Sequence, residues 1–151
     1  MQHPTKEKLA VFNRTRQSFL GLGVTVADTH FGRLRGILGR RELQPGEGLW
    51  VVPSQGIHTI GMRFPIDVLY LDEHFHVIHL IQGLGPFRVG PVRMDCHSVL
   101  ELPARTIYLS QSALGDELLI GSPAEMEIHW KALRAREVEV QMEDSNSRGP
   151  R

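Results

Sequence analysis

Residues 57–81 read IHTIGMRFPIDVLYLDEHFHVIHLI, and the alternation of polar and apolar residues in them decides the fold class. IDVLYL, 66–71, is rich in β-branched and aromatic residues and apolar on both faces. That pattern describes a central strand covered on both sides. DEHF turns the chain, and HVIHLI, 76–81, returns as its hairpin partner. Just upstream, MRFP is extended or a turn, because the residue before Pro65 disfavours helix.

Working outward, the same short-strand signature recurs. AVFN, 10–13, is a short strand. SFLGLGVTVADT, 18–29, alternates Val24 and Val26 against Thr25 and Ala27. QPGEG, 44–48, is a turn by its Pro-Gly pair, and LWVVP, 49–53, a short apolar strand. QGLGPFRVGPVRMDC, 82–96, is a long Gly/Pro-rich loop of the kind that often carries function. SVLELP, 98–103, is a strand; LGDELLIG, 114–121, is a turn and a strand; AEMEIHW, 124–130, alternates as a last strand. One helix is expected. Asp28 or Thr29 caps HFGRLRGILGR, where Phe31, Leu34 and Leu38 fall at helical spacing and the arginines form a solvated face. The fold expected is mostly β (α+β): a small single-domain barrel or sandwich of short strands with one short amphipathic helix packed on it. Residues 1–8 read as a frayed N-terminus, 9–142 as the domain, and 143–151 as a disordered tail by composition.

The chain of 151 residues is long enough to bury a core without metal or disulfide help. Lys plus Arg equals Asp plus Glu at 17 each, which argues against general nucleic-acid binding through phosphate neutralisation. Cys96 is the single cysteine, so no intrachain disulfide forms and a reducing compartment fits. The N-terminal residues lack the apolar stretch of a signal peptide, and no run approaches the length of a membrane helix. A cytoplasmic protein is the expectation.

Asp67 is the residue that asks for an explanation. In a strand it shares its face with Leu69 and Leu71, and a buried carboxylate needs partners or a proton. Arg63 could fork onto it, His58 or Thr59 could reach it across an adjacent strand, and the N–H of Phe64 could bond it. Pro65 has no N–H to give. Either Asp67 and His58 form a polar pair at the floor of a pocket, with Arg63 as anion anchor, or Asp67 is a staple for the Met62–Pro65 turn. The staple ranks ahead, since structural pairs also perturb such groups. Met62 reads as core filler.

Taken in order, VADTHFGRLRGILGR, GLWVVPSQGIHTIGMRFPIDVLYLDEHFHVIHL, SVLELPA and LGDELLI resemble the family called domain of unknown function 192 (DUF192), also uncharacterised protein family 0127. HTIGMRFPIDVLYLD is the most specific piece, similar to the sub-group in which His-Thr precedes Gly-Met-Arg. The resemblance implies one compact β-rich domain and brings no established activity. This chain departs from the pattern twice: Arg105 follows ELPA where the family often has Gly, and Phe75 stands in the hairpin turn where Gly is frequent. A left-handed turn strains Phe, so a different hairpin turn is expected.

Other constellations are weaker. His74 and His76 share a strand face and His79 opposes them, which disfavours a three-histidine metal site. Cys96 beside His97 lacks the paired spacings of zinc sites and, on adjacent residues, the geometry of a nucleophile and its base. Arg88 and Arg93 read as solvated loop charges, with an anion pocket shared with Arg63 as the sharper alternative. No phosphate loop, dinucleotide loop or Gly-x-Ser-x-Gly elbow is present. No metal or cofactor is expected.

The function expected is a binding module for a small polar or anionic ligand or a partner peptide, with His58, Thr59, Met62, Arg63 and Asp67 as candidate binding residues. Its alternatives are a hydrolase using Asp67 and His58, which lacks a recognisable nucleophile, and an interaction subunit whose motif is purely structural.

Overall fold

A computed structural model of the chain describes residues 7–27 and 42–149. The helix expected between Asp28 and Arg41 lies outside them. Seven strands form one sheet: β1 (Leu9–Asn13), β2 (Ser18–Ala27), β3 (Glu47–Val51), β4 (Ile66–Leu71), β5 (Val77–Leu84), β6 (Ser98–Pro103) and β7 (Leu118–Gly121). The described residues add two helices, α1 (Thr106–Ser110) and α2 (Pro123–Ser147). The order across the sheet is β5–β4–β6–β3–β2–β1–β7. Every neighbouring pair is antiparallel except β2 and β3.

The sheet curls into a half-barrel, and its two ends meet at one point. The amide of Val77 donates to Asp116 O (2.9 Å), Gly115 N to Val77 O (2.8 Å) and Leu118 N to Phe75 O (2.9 Å). β4 is buried at every residue, as an apolar strand with neighbours on both sides should be. Its alternate residues serve two cores. Leu69 and Leu71 point inward with Val11, Val24, Leu100, Leu102 and Ile107. Ile66, Val68 and Tyr70 point outward, against Ile57, Met62, Phe64 and Cys96 of the long loops. The half-barrel is thus filled inside by strand side chains and covered outside by loops.

The hairpin between β4 and β5 keeps a left-handed residue although Phe stands there in place of Gly. Phe75 has φ 63°, so the expected change of turn does not occur. Its ring meets Trp50 edge-on at 5.6 Å between centroids, and its N–H donates to Asp72 O (3.1 Å). These contacts offset the roughly 1 kcal/mol steric cost of the conformation. Arg105, the second departure, is also left-handed (φ 75°) and sits at the N-cap of α1.

The last strand expected at 124–130 is the first part of α2. Ser122 Oγ accepts from Glu125 N (3.2 Å) while Glu125 Oε2 accepts from Ser122 N (2.7 Å), a complete capping box with Pro123 in the first turn. Met126, Trp130 and Leu133, at helical spacing, pack on Phe12 and its neighbours. The helix continues to Ser147, so residues 143–147 of the expected tail are helical.

A polar cluster holds the turn before β7 against β1. Asp116, 2% exposed, accepts from Asn13 Nδ2 (2.9 Å), Arg16 Nε (3.0 Å) and Ala113 N (2.9 Å). Burial pushes its carboxyl up, but the bonds from Asn13, Arg16 and Ala113 outweigh burial and hold it below the ordinary value. A carboxylate with a depressed folded pKa stabilises the fold above its unfolded pKa of about 3.9, and that stability is lost as pH falls through the folded value. Asp116→Asn is therefore expected to unfold about 1–3 kcal/mol more easily than wild type at pH 7. In urea titrations repeated at falling pH, that gap should close.

Candidate functional site

Asp67 is 1% exposed, and both its oxygens are taken by backbone amides. Oδ1 accepts from Gly83 N (2.9 Å), near the end of β5, and Oδ2 from Ile107 N (2.8 Å), in the first turn of α1. Arg105, the N-cap of that helix, offers no side-chain cap, so Asp67 acts as the cap from another element. None of the partners considered from the sequence fills this role. Arg63 is exposed, and neither His58 nor Thr59 bonds the carboxylate. The real donors lie 16 and 40 residues away in sequence. Asp67 borders a cavity of about 390 Å³ with Gln82, Arg105 and Tyr108, whereas His58 lines a different one.

Thr59 clips two loops together. Its Oγ1 donates to Gly85 O (2.6 Å) and accepts from Arg88 N (2.9 Å); its own N–H donates to Arg88 O (2.8 Å) and its carbonyl accepts from Phe87 N (3.0 Å). His58 forms a β-bridge with Val89 next to it. Met62 is buried in the outer core, 4% exposed. Three of the five residues singled out, Thr59, Met62 and Asp67, are therefore engaged in holding the fold, and His58 borders a space between two loops.

That space is a pocket of about 640 Å³ between residues 53–58 and 89–97. Pro53, Ile57, Val89 and Val92 supply apolar wall; Ser54, Gln55, His58 and His97 supply polar groups. The two loops are locked by Gly90 N to Ile57 O (2.9 Å), Arg93 N to Gln55 O (2.8 Å) and Ser54 N to His97 O (3.0 Å). From below, Tyr70 Oη donates to Pro91 O (2.8 Å). Burial, with Cys96 adding to it, pushes the phenol up to about 12, so it remains a donor throughout the neutral range. Gly90 is required by closeness: a Cβ there would lie 2.6 Å from Tyr70 Oη and 2.7 Å from Ile57 Cγ2.

Cys96 lines the pocket but is buried, with Sγ donating to Ser98 O (3.2 Å). Burial raises its pKa, which keeps it a thiol at neutral pH and disfavours nucleophilic use. Arg93 is paired with Asp95 (3.0 Å), and Arg88 and Arg63 are exposed. His76 lies 3.4 Å from Asp72, His74 lies 3.5 Å from Glu73, and His79 meets the Tyr70 ring edge-on. Among the described residues no three His, Cys, Asp or Glu side chains converge as metal ligands. One residue the sequence reading passed over is Glu101, 1% exposed on β6 between Leu49 and Val68 of the flanking strands. Its signal in SVLELP is the one that drew attention to Asp67: a carboxylate within an apolar strand.

The family model of DUF192, described as "Uncharacterized ACR", matches residues 11–120, nearly all of the half-barrel. The chain belongs to DUF192. Two crystal structures share the fold of this DUF192 chain. One is of a Sinorhizobium meliloti protein assigned only provisionally to transcription regulation, with 20% identity, 79% of this chain and 96% of that chain covered, and a TM-score of 0.61. The other is of a Novosphingobium aromaticivorans protein of unknown function, with 17% identity, 79% and 91% covered, and a TM-score of 0.64. Among curated proteins none matches. At these identities the likeness establishes the half-barrel alone, so the chemistry must come from this chain's own residues.

The different settings of Asp67 and His58 predict different responses. Asp67→Ala leaves two backbone donors unmet and should cost about 2–5 kcal/mol of stability. His58→Ala trims a partly buried side chain that lines the pocket and does not meet the carboxylate, and should cost less. Side-by-side thermal melts check both, and equal losses would contradict the separation of roles.

Proposed function

We propose that this DUF192 chain is a binding module for a small ligand with an apolar body and one polar or anionic head, held in the pocket between residues 53–58 and 89–97. The observation that carries the proposal is the combination of that 640 Å³ space with a preformed frame. Its size lies in the range of small-molecule sites, and mixed apolar walls with a few polar groups are their usual chemistry. The bonds across Gly90, Arg93, Ser54 and Tyr70 fix both loops without a ligand, so little ordering entropy opposes binding. The imidazoles of His58 and His97 line this pocket beside Ser54 and Gln55 and supply its polar surface for the head. Val89 and Val92, each more than 70% exposed, offer apolar surface for the body.

The test is a thermal-shift screen of wild type, His58→Ala and Val92→Arg against a panel of small aromatic and aliphatic carboxylates. A true ligand at about 100 times its Kd should raise wild-type stability by about 2.7 kcal/mol. The rise should be reduced in His58→Ala and absent in Val92→Arg. A panel that shifts nothing, or shifts all three proteins equally, contradicts the assignment.

A further inference from the structure

The helix α2 lies wholly beyond the residues matched by the family model. Only its beginning is supported by the body: Met126, Trp130 and Leu133 pack on Phe12. From Arg134 to Gly149 every residue is exposed. A solitary helical stretch of that length is marginal in water, because most helical stability comes from packing an apolar face. The exposed stretch has such a face. Ala135, Val138 (54% exposed) and Met142 (67%), with Ile128 (71%) just before the stretch, follow one another at spacings of three, four and, from Ile128, seven. At about 100° per residue they form one stripe, on the side of the helix roughly opposite the face that meets the body. A partner on this stripe therefore meets no obstruction from the half-barrel.

We propose that α2 is a self-association element that pairs in parallel, in register, with α2 of a second copy along Ile128, Ala135, Val138 and Met142. The charges beside the stripe select this partner and this direction. With Ile128, Ala135 and Met142 at the first seam position of the heptad, Arg134 and Glu139 take the two flanking positions that face each other across a parallel pair. Each copy thus contributes one Arg134–Glu139 contact to its mate, twice by symmetry. An antiparallel pair would layer Ala135 against Val138 of its mate and leave Arg134 facing Gln141 and Glu139 facing Ala132, with no ion pair. Lys131 holds the one charged seam position. Its ammonium is drawn outward by Glu127 (2.8 Å), and its stem can cover the seam. Arg134 lies over Trp130 at 5.4 Å in the single chain, an exposed contact that is readily exchanged for the ion pair.

The experiment is sedimentation velocity on the full chain over a wide range of concentration, for wild type, Met142→Asp, Arg134→Glu and the double variant Arg134→Glu with Glu139→Arg. Wild type should pass from monomer to dimer. Met142→Asp should raise the midpoint concentration at least tenfold, Arg134→Glu should weaken association, and the charge-swapped double variant should recover it. Since these residues are exposed, all variants should retain the wild-type melting of the half-barrel. A Ser145→Cys variant should form a disulfide-linked dimer on mild oxidation, because a parallel pair puts the two 145 positions side by side. A wild-type chain that stays monomeric throughout, or a dimer indifferent to Met142→Asp, overturns the proposal. A dimer that does not cross-link through residue 145 overturns the parallel arrangement.

Discussion

A carboxylate inside an apolar strand must be met by donors, and in this chain the donors are two amides from two other elements. Asp67 on β4 takes Gly83 N from β5 and Ile107 N from α1. The first bond adds to the β4–β5 pairing where its register is irregular. The second anchors a helix of five residues, too short to hold itself, whose Ile107 enters the inner core. One side chain therefore sets the end of an edge strand and the position of the helix beside it. Loss of that carboxylate would expose two buried amides at once, which explains how an ionisable group is tolerated among leucines.

The outer side of the same strand supports the candidate site. Ile66, Val68 and Tyr70 form a floor on which residues 52–65 and 85–97 settle. Thr59 joins those loops at one end, and Tyr70 Oη holds Pro91 at the other. The pocket is what remains between two loops that cannot close further, because their backbones already touch through Gly90 and Gly56. Inner face and outer face thus divide the labour along β4: Asp67 builds the frame, and Tyr70 positions the rim of the space beside His58.

The strands were legible because period-two alternation and Gly/Pro punctuation need only neighbouring residues. The helix α1 was not, since its start depends on a left-handed Arg105 and on a cap donated from β4, neither of which local sequence encodes. The helix α2 had a readable beginning in Ser122–Glu125, yet AEMEIHW also satisfies a strand alternation, and the longer window of helix formers settles the conflict. For the site, the sequence correctly marked Asp67 as a buried group needing partners but could not supply them. Amides 16 and 40 residues away become neighbours only through the topology. The pocket escaped for the same reason: its two loops are separated by the β4–β5 hairpin. Phe75 and Arg105 show the reverse case: the resemblance to the family pattern, with Gly in their place, flagged the positions, and the backbone kept the left-handed conformation regardless.

Asp67 is the structural tie between β4, β5 and α1. The most direct test is native-state hydrogen exchange of the Gly83 and Ile107 amides, followed by NMR in wild type and Asp67→Asn. If the carboxylate holds both, the two amides exchange in wild type only through unfolding of the whole domain, and the substitution strips protection from them first. If they exchange at rates typical of open loops in wild type, or are untouched by the substitution, the tie does not exist and Asp67 must be returned to the list of functional groups.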